Sequence, residues 1–253
     1  MGKIISFANQ KGGVGKTTSA VNMAASLGVL GYQVLFIDLD PQGNATSGLG
    51  VLKKNLKKTV FDLLTTDATV DDVTVPTKYS GLSLVPTQTT LARAEYELGA
   101  TERGEFVMKD KLAAVKDRYD YIIIDCPPSL GMLTVNAMVA SDGVVIPMQC
   151  EFFALEGLSQ LVFTISRIKS HYNPTLAVCG ILITMYNARL LHSALVLDEL
   201  RKHYPEKLFE TTVSRNVKLS EASGYGMPVY YYSKRSKGAV DYLNVSKELV
   251  ERI

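Results

Sequence analysis

The sequence predicts a single α/β domain over 1–253, with a mostly parallel twisted sheet covered by helices on both faces. Short apolar runs rich in β-branched residues recur along the chain. They are nearly unbroken by polar residues, as parallel strands buried on both sides must be. Segments of helical length separate most of them, the alternation expected of α/β architecture. No Gly/Ser-rich or Pro-rich linker, internal repeat or low-complexity tract divides the chain.

The elements follow in order. The run IISFA (4–8) ends at a glycine-rich loop. A helix is predicted from Thr17 to Leu30, because Ala20, Val21, Ala24, Leu27 and Leu30 fall on or near one face. Gly31 stops it. VLFID (34–38) reads as the second strand, and LSLVP (82–86), YIIID (121–125), GVVIP (143–147) and VCGILIT (178–184) as later ones. Segment 44–80 keeps no period and predicts short helices and loops. Further helices are predicted over 105–117, 131–140, 154–171, 190–203 and 236–252.

Composition narrows the class. Hydrophobic residues make up 47% of the chain and charged residues 21%, which supplies a large core and argues against disorder. The formal net charge of +2 does not announce a nucleic-acid binder, but it leaves room for a local basic face. Cys126, Cys150 and Cys179 are widely spaced, with no CxxC pair, so they read as buried structural thiols rather than zinc ligands. The opening MGKIISFANQ lacks the apolar core and cleavage site of a signal peptide. Its Met-Gly start matches a lipidation pattern only by coincidence, since Ser6 lies in a buried run. No apolar run approaches the ~18 residues of a spanning helix. A soluble, cytoplasmic protein is expected.

Chemistry concentrates at three strand ends, where ligands sit in such sheets. After the first strand comes KGGVGKTT (11–18). The usual phosphate loop reads G-x-x-x-x-G-K-[ST]; Gly15-Lys16-Thr17 fits its end, while Gln10 replaces its first glycine. Gly12, Gly13 and Gly15, with Val14 between them, can turn backbone N–H groups toward phosphate oxygens. Lys16 is placed to reach the β- and γ-phosphates, the Thr17 hydroxyl to ligate Mg2+, and Thr18 to donate to the α-phosphate.

The second strand ends in Asp38-Leu39-Asp40, whose two carboxylates project to one side of an extended chain. The third candidate end is Asp125, which closes YIIID in the manner of a metal-holding aspartate. Asp38 and Asp125 are assigned to the magnesium shell and Asp40 to positioning the attacking water. Capping a turn is the other role open to Asp38. Lys11 precedes the glycines and is not placed to enter its own loop as Lys16 does. Two readings stand: a cation donated to a second molecule's γ-phosphate, or an exposed loop lysine.

KGGVGKTT, DLDPQGNATSGLG (38–50), YIIIDCPPSLG (121–131), QCEFFALEGLSQL (149–161) and RNVKLSEA (215–222) together resemble the ParA/MinD group of deviant Walker ATPases. The similarity spans nearly the whole chain and is nearest to the chromosomal, Soj-like branch. The resemblance implies a P-loop NTPase fold and an ATP-dependent homodimer that sandwiches nucleotide. It also implies slow Mg-dependent hydrolysis, stimulated by a ParB-type centromere-binding partner. Double-stranded DNA would be bound without sequence preference, placing the ATP form on the nucleoid. Lys11 becomes the signature lysine acting in trans, Lys16 the phosphate-loop lysine and Asp40 the catalytic aspartate. Arg189 and Lys218 fall at DNA-contacting positions, with Arg215, Lys234, Arg235 and Lys237 available to enlarge the patch. Lys218 stands where arginine is common, which loses bidentate geometry on phosphate. Ser214 stands where the branch often has proline.

The alternative is a MinD-like membrane-cycling ATPase, which needs a basic amphipathic helix at its end. Here AVDYLNVSKELVERI (239–253) carries Asp241, Glu248 and Glu251 and no basic face, so it reads as a packing helix. An electron-transfer relative needs a second cysteine suitably placed for a shared cluster, and none is evident. Nothing in the sequence suggests the small-molecule acceptor site of a ligase.

Overall fold

The computed structural model describes residues 2–151 and 154–253. Phe152 and Phe153, within the QCEFFALEGLSQL stretch, lie outside the described residues. Among the described residues one seven-stranded sheet forms, in the order β3-β4-β2-β5-β1-β6-β7. The strands are β1 (Lys3–Phe7), β2 (Val34–Asp38), β3 (Val75–Pro76), β4 (Leu82–Val85), β5 (Tyr121–Asp125), β6 (Gly143–Met148) and β7 (Ala177–Ile183). Neighbours pair in parallel except β3 with β4.

The strands lack polar alternation because both of their faces are covered. In β2, Leu35 and Ile37 enter one core while Val34 and Phe36 enter the other. In β5, Ile122 and Ile124 face the first and Ile123 the second. On the second face the helix Lys16–Val29 is buried along most of its surface, between the sheet and the helix Lys237–Arg252. Ser19 Oγ and Tyr242 Oη hydrogen-bond at 3.0 Å across that contact. Gly28 permits the close approach of the neighbouring turn, since a Cβ there would lie 2.1 Å from the Ser80 carbonyl oxygen.

Six expected strands and the helices Met132–Ala140, Ala154–His171, Leu191–His203 and Lys237–Arg252 appear close to their predicted bounds. Segment 44–80 holds the short helices Asn44–Gly48, Val60–Thr65 and Val70–Val73. The last two begin with capping boxes, Thr59 with Asp62 and Thr69 with Asp72. Three differences have local causes. The edge strand β3 is two residues long and includes proline, a residue that only a sheet edge tolerates. The single helix expected over 105–117 is shorter, Val107–Ala113, flanked by the 3-10 turns Gly104–Phe106 and Lys116–Arg118. Val115 sits at φ −123°, ψ −6°, which ends the helix. The helices Ala94–Ala100 and Val217–Gly224 were not expected; they bury only Ala94 with Leu98, and Ala222, so neither shows a stripe.

Register sets up the site. Phe7 and Asp38 both align with Asp125, so the three strand ends stand abreast.

Candidate functional site

The phosphate-type loop joins β1 to the helix Lys16–Val29. Gly15 caps that helix at φ 81°, ψ 22°, a left-handed conformation that glycine adopts without strain. The helix has no side-chain cap and no acidic residue in its first turn, so its positive end remains available to an anion. A Cβ at Gly12 or Gly13 would meet nothing within 4 Å, so both face open space. Polar residues brace the loop from behind. Asn9 Nδ2 donates to the Pro147 carbonyl at 2.8 Å and Gln149 Nε2 to that of Gly13 at 2.8 Å. Thr184 Oγ1 donates to the Val14 carbonyl at 2.7 Å. Val14 is buried, holding the loop down. Thr17 and Thr18 are half-buried and line a cavity of ≈ 350 Å³ with Asn44 and Ser47.

Lys16 is 7% exposed, and its charge acts on Asp125. Asp125 is fully buried, and neither of its carboxylate oxygens accepts a hydrogen bond. Burial pushes its pKa up to about 7. Lys16 and Thr17 oppose that rise, and Asp38 adds to it. Asp38 is equally buried but well partnered: its Oδ2 accepts from Thr46 N and Thr46 Oγ1, each at 2.6 Å. Burial still outweighs these bonds and raises its pKa to about 6. Asp40 is 6% exposed, and its Oδ1 accepts from Gln42 N at 2.9 Å. Among the described residues no three His, Cys, Asp or Glu side chains form a metal cage on their own. A hard cation here would share its coordination with phosphate and water, the habit of magnesium.

Lys11 stands outside this pocket. Its backbone N–H donates to Asn9 Oδ1 at 2.9 Å, and its half-exposed ammonium pairs with Glu151 of the same chain. A second cavity of ≈ 360 Å³ opens beside Gly15 and Thr18, walled by Val213, Asn216, Leu219 and Tyr242. Arg215 lines it as well.

Two of the basic candidates, Arg189 and Arg215, lie on segments that meet beyond β7. Arg189 is exposed on the loop that leaves that strand. Tyr186 N donates to the Val213 carbonyl at 2.9 Å, which brings the Arg189 and Arg215 segments together. Lys218 lies on the helix Val217–Gly224, where its ammonium bonds Glu221 at 2.7 Å and sits over the Tyr232 ring. Lys237 pairs with Asp241, and Lys234 sits over Tyr230.

Cys126 and Cys150 are buried and Cys179 is half-buried; burial raises all three thiol pKa values, to about 11 for Cys150 and Cys179. A fully buried Cys126 is not presented to a cluster. Among the described residues no helix is long and apolar enough to cross a membrane.

Sequence reasoning missed Thr46, Thr87, Thr184 and the bracing role of Gln149. Threonines beyond a strand or in a short helix carry no signature, although Thr46 and Gln149 both fell in stretches the resemblance had marked.

A family model described as an AAA domain matches residues 2–178. The chain is 51% identical over 249 residues to the sporulation initiation inhibitor protein Soj of Bacillus subtilis (strain 168), covering 98% of each. It is 46% identical over 252 residues to the chromosome partitioning protein ParA of Myxococcus xanthus (strain DK1622), covering 100% of this chain and 89% of that one. It also resembles the crystal structure of cobyrinic acid a,c-diamide synthase from Mycobacterium smegmatis with bound ADP and magnesium. There the TM-score is 0.87 at 35% identity, over 99% of this chain and 95% of that one. Relatedness at this level, end to end and on a glycine loop with aligned acidic strand ends, places the chain in the ParA/Soj family of chromosome-partitioning P-loop ATPases.

Proposed function

We propose that this chain is a Mg-dependent ATPase that drives partition of a chromosome or plasmid. ATP brings two copies together, the dimer holds DNA, and slow hydrolysis stimulated by a ParB-type partner releases it. The observation that carries this reading is Asp125. A buried carboxylate with both oxygens unpartnered, beside Lys16 and an uncapped helix end, fits a site made to be completed by cation and phosphate.

The residues take the following roles. N–H groups of Gly12, Gly13, Val14 and Gly15 cradle phosphate oxygens, and Lys16 neutralises the β- and γ-phosphates. Thr18 donates to the α-phosphate. Thr17, Asp38 and Asp125 would hold magnesium, which would supply charge neutralisation when bound. Asp40 orients the attacking water. The cavity walled by Val213, Leu219 and Tyr242 takes the base and ribose. Lys11 exchanges Glu151 for the γ-phosphate of the partner copy. Arg189, Arg215 and Lys218 contact DNA phosphates, doubled by dimerisation. The protein is cytoplasmic, and nucleoid-associated when ATP is bound.

The membrane-cycling alternative needs a final helix with an apolar face to spare. Here Tyr242, Val245 and Leu249 are buried in the core, and Val240 at 43% is the most exposed apolar residue of that helix. The likeness to the cobyrinic acid a,c-diamide synthase structure is one of fold and assigns no acceptor to this chain.

Size-exclusion chromatography with light scattering tests the proposal. ATP should give dimers, ADP monomers, and ATP with duplex DNA a DNA-bound dimer; Lys11→Ala should stay monomeric with ATP. A wild-type chain that remains single under saturating ATP, or that floats with vesicles instead of shifting DNA, would refute it.

A further inference from the structure

Thr46 sits in the short helix Asn44–Gly48 and is wholly buried. Its backbone N–H and its hydroxyl both donate to Asp38 Oδ2, each at 2.6 Å. The hydroxyl bond to the carboxylate, at that length, lies in the charge-assisted range. The hydroxyl is itself an acceptor, taking the Thr87 N–H at 3.1 Å. With that acceptor position filled, the hydroxyl proton is directed at Asp38 and the rotor is fixed.

The bonds continue toward the site. Asp38 Oδ1 accepts from Asp40 N at 3.3 Å, and Asp40 Oδ1 accepts from Gln42 N at 2.9 Å. The Gln42 carbonyl accepts from Lys53 Nζ at 2.6 Å. Gln88 Nε2 in turn donates to the Lys53 carbonyl at 2.6 Å. The turn that carries Asp40 is thus fastened at one end through Thr46 to the segment after β4, and at the other through Lys53 to the same segment.

We propose that Thr46 is a positioning residue for ATP hydrolysis. It fixes the rotamer of Asp38 and, through Asp38 Oδ1, the backbone amide of Asp40, so that the Asp40 carboxylate is held where it orients water. Thr46 itself touches no phosphate. The proposal rests on the water-orienting role assigned to Asp40. With the hydroxyl removed, Asp38 Oδ2 keeps one donor and Asp38 can swing. Misplacing a group that acts only in the transition state lowers turnover and leaves ground-state binding alone.

The test compares Thr46→Val, which keeps the shape and removes the donor, with Thr46→Ser, which keeps the donor. Steady-state ATP hydrolysis and equilibrium binding of a fluorescent ATP analogue are measured on the full chain. Thr46→Val should lower kcat by about tenfold while KM and analogue affinity stay within about twofold, the signature of a lost transition-state interaction. Thr46→Ser should restore kcat to within about threefold of wild type, since the charge-assisted bond is kept. If Thr46→Val does not fold, Thr46→Ala removes the same donor with less bulk and takes its place. An unchanged kcat, an equal loss of analogue affinity, or a serine variant as slow as the valine one overturns the proposal. A wild-type chain that binds the analogue and hydrolyses no ATP overturns the ATPase reading, and this proposal with it; a working wild type beside an unaffected Thr46→Val overturns the proposal alone.

Discussion

Asp125→Asn should make the nucleotide-free protein more stable and the enzyme inactive. The carboxyl pKa rises from 3.8 to about 7, chiefly through burial. A raised acid pKa means that the fold prefers the protonated form. The penalty is absent below the unfolded value, grows as pH climbs through the interval, and is complete above the folded value. At pH 8 it amounts to about 4 kcal/mol. Asparagine carries no charge and escapes it, but its buried amide remains unpartnered, which costs about 1–3 kcal/mol. The net gain is then about 1–3 kcal/mol, or roughly 2–6 °C in Tm for a chain of this length. Circular-dichroism melts without nucleotide at pH 8 and pH 5 provide the assay. The variant should lead at pH 8, and its advantage should shrink toward pH 5. Magnesium-dependent ATP hydrolysis should fall by at least about a hundredfold, since the carboxylate proposed to hold magnesium is lost and with it part of the charge stabilisation. A variant no more stable than wild type at pH 8, or one with the same advantage at both pH values, would refute the claim that Asp125 is held strained by an uncompensated burial.

Asp40→Ala should bind ATP and dimerise yet hydrolyse it about 100-fold more slowly or worse, trapping the dimer in light scattering; a monomer with ATP would count against its role. Arg189→Ala should weaken DNA binding and reduce the salt slope by about 1 per lost contact, with dimerisation intact. Unchanged affinity in a titration against duplex DNA would remove it from the patch. The three thiols, with pKa values raised by burial, should alkylate slowly with iodoacetamide at pH 8 until the chain is unfolded. Rapid labelling of Cys126 in the folded chain would contradict its packing.

The sequence disclosed most where covalent chemistry and local geometry coincide. YIIID and VLFID each carry an unbroken apolar run into an aspartate, so the strand, its burial and the carboxylate at its end were readable together. The glycine loop was equally plain, because Gly13 and Gly15 adopt positive φ values that few other residues would accept. What escaped was set by tertiary contact. Thr46 matters because Asp38 and Thr87 lie within reach, and neither relation has a spacing rule. The pairing of Lys11 with Glu151 spans 140 residues of sequence. β3 is too short for any period, and the helix Val217–Gly224 owes its start to Asn216, whose side chain accepts from Lys218 N at 2.8 Å.

The bracing of the glycine loop by Asn9, Gln149 and Thr184 has a kinetic consequence. A cradle already tied to two neighbouring strands needs no ordering step when its occupant arrives, so little of the binding free energy is diverted to folding it. Capture of nucleotide by one chain should therefore be a single fast phase whose observed rate climbs in proportion to concentration. A slower phase, if its rate rose with protein concentration, would then report the association of two copies proposed above.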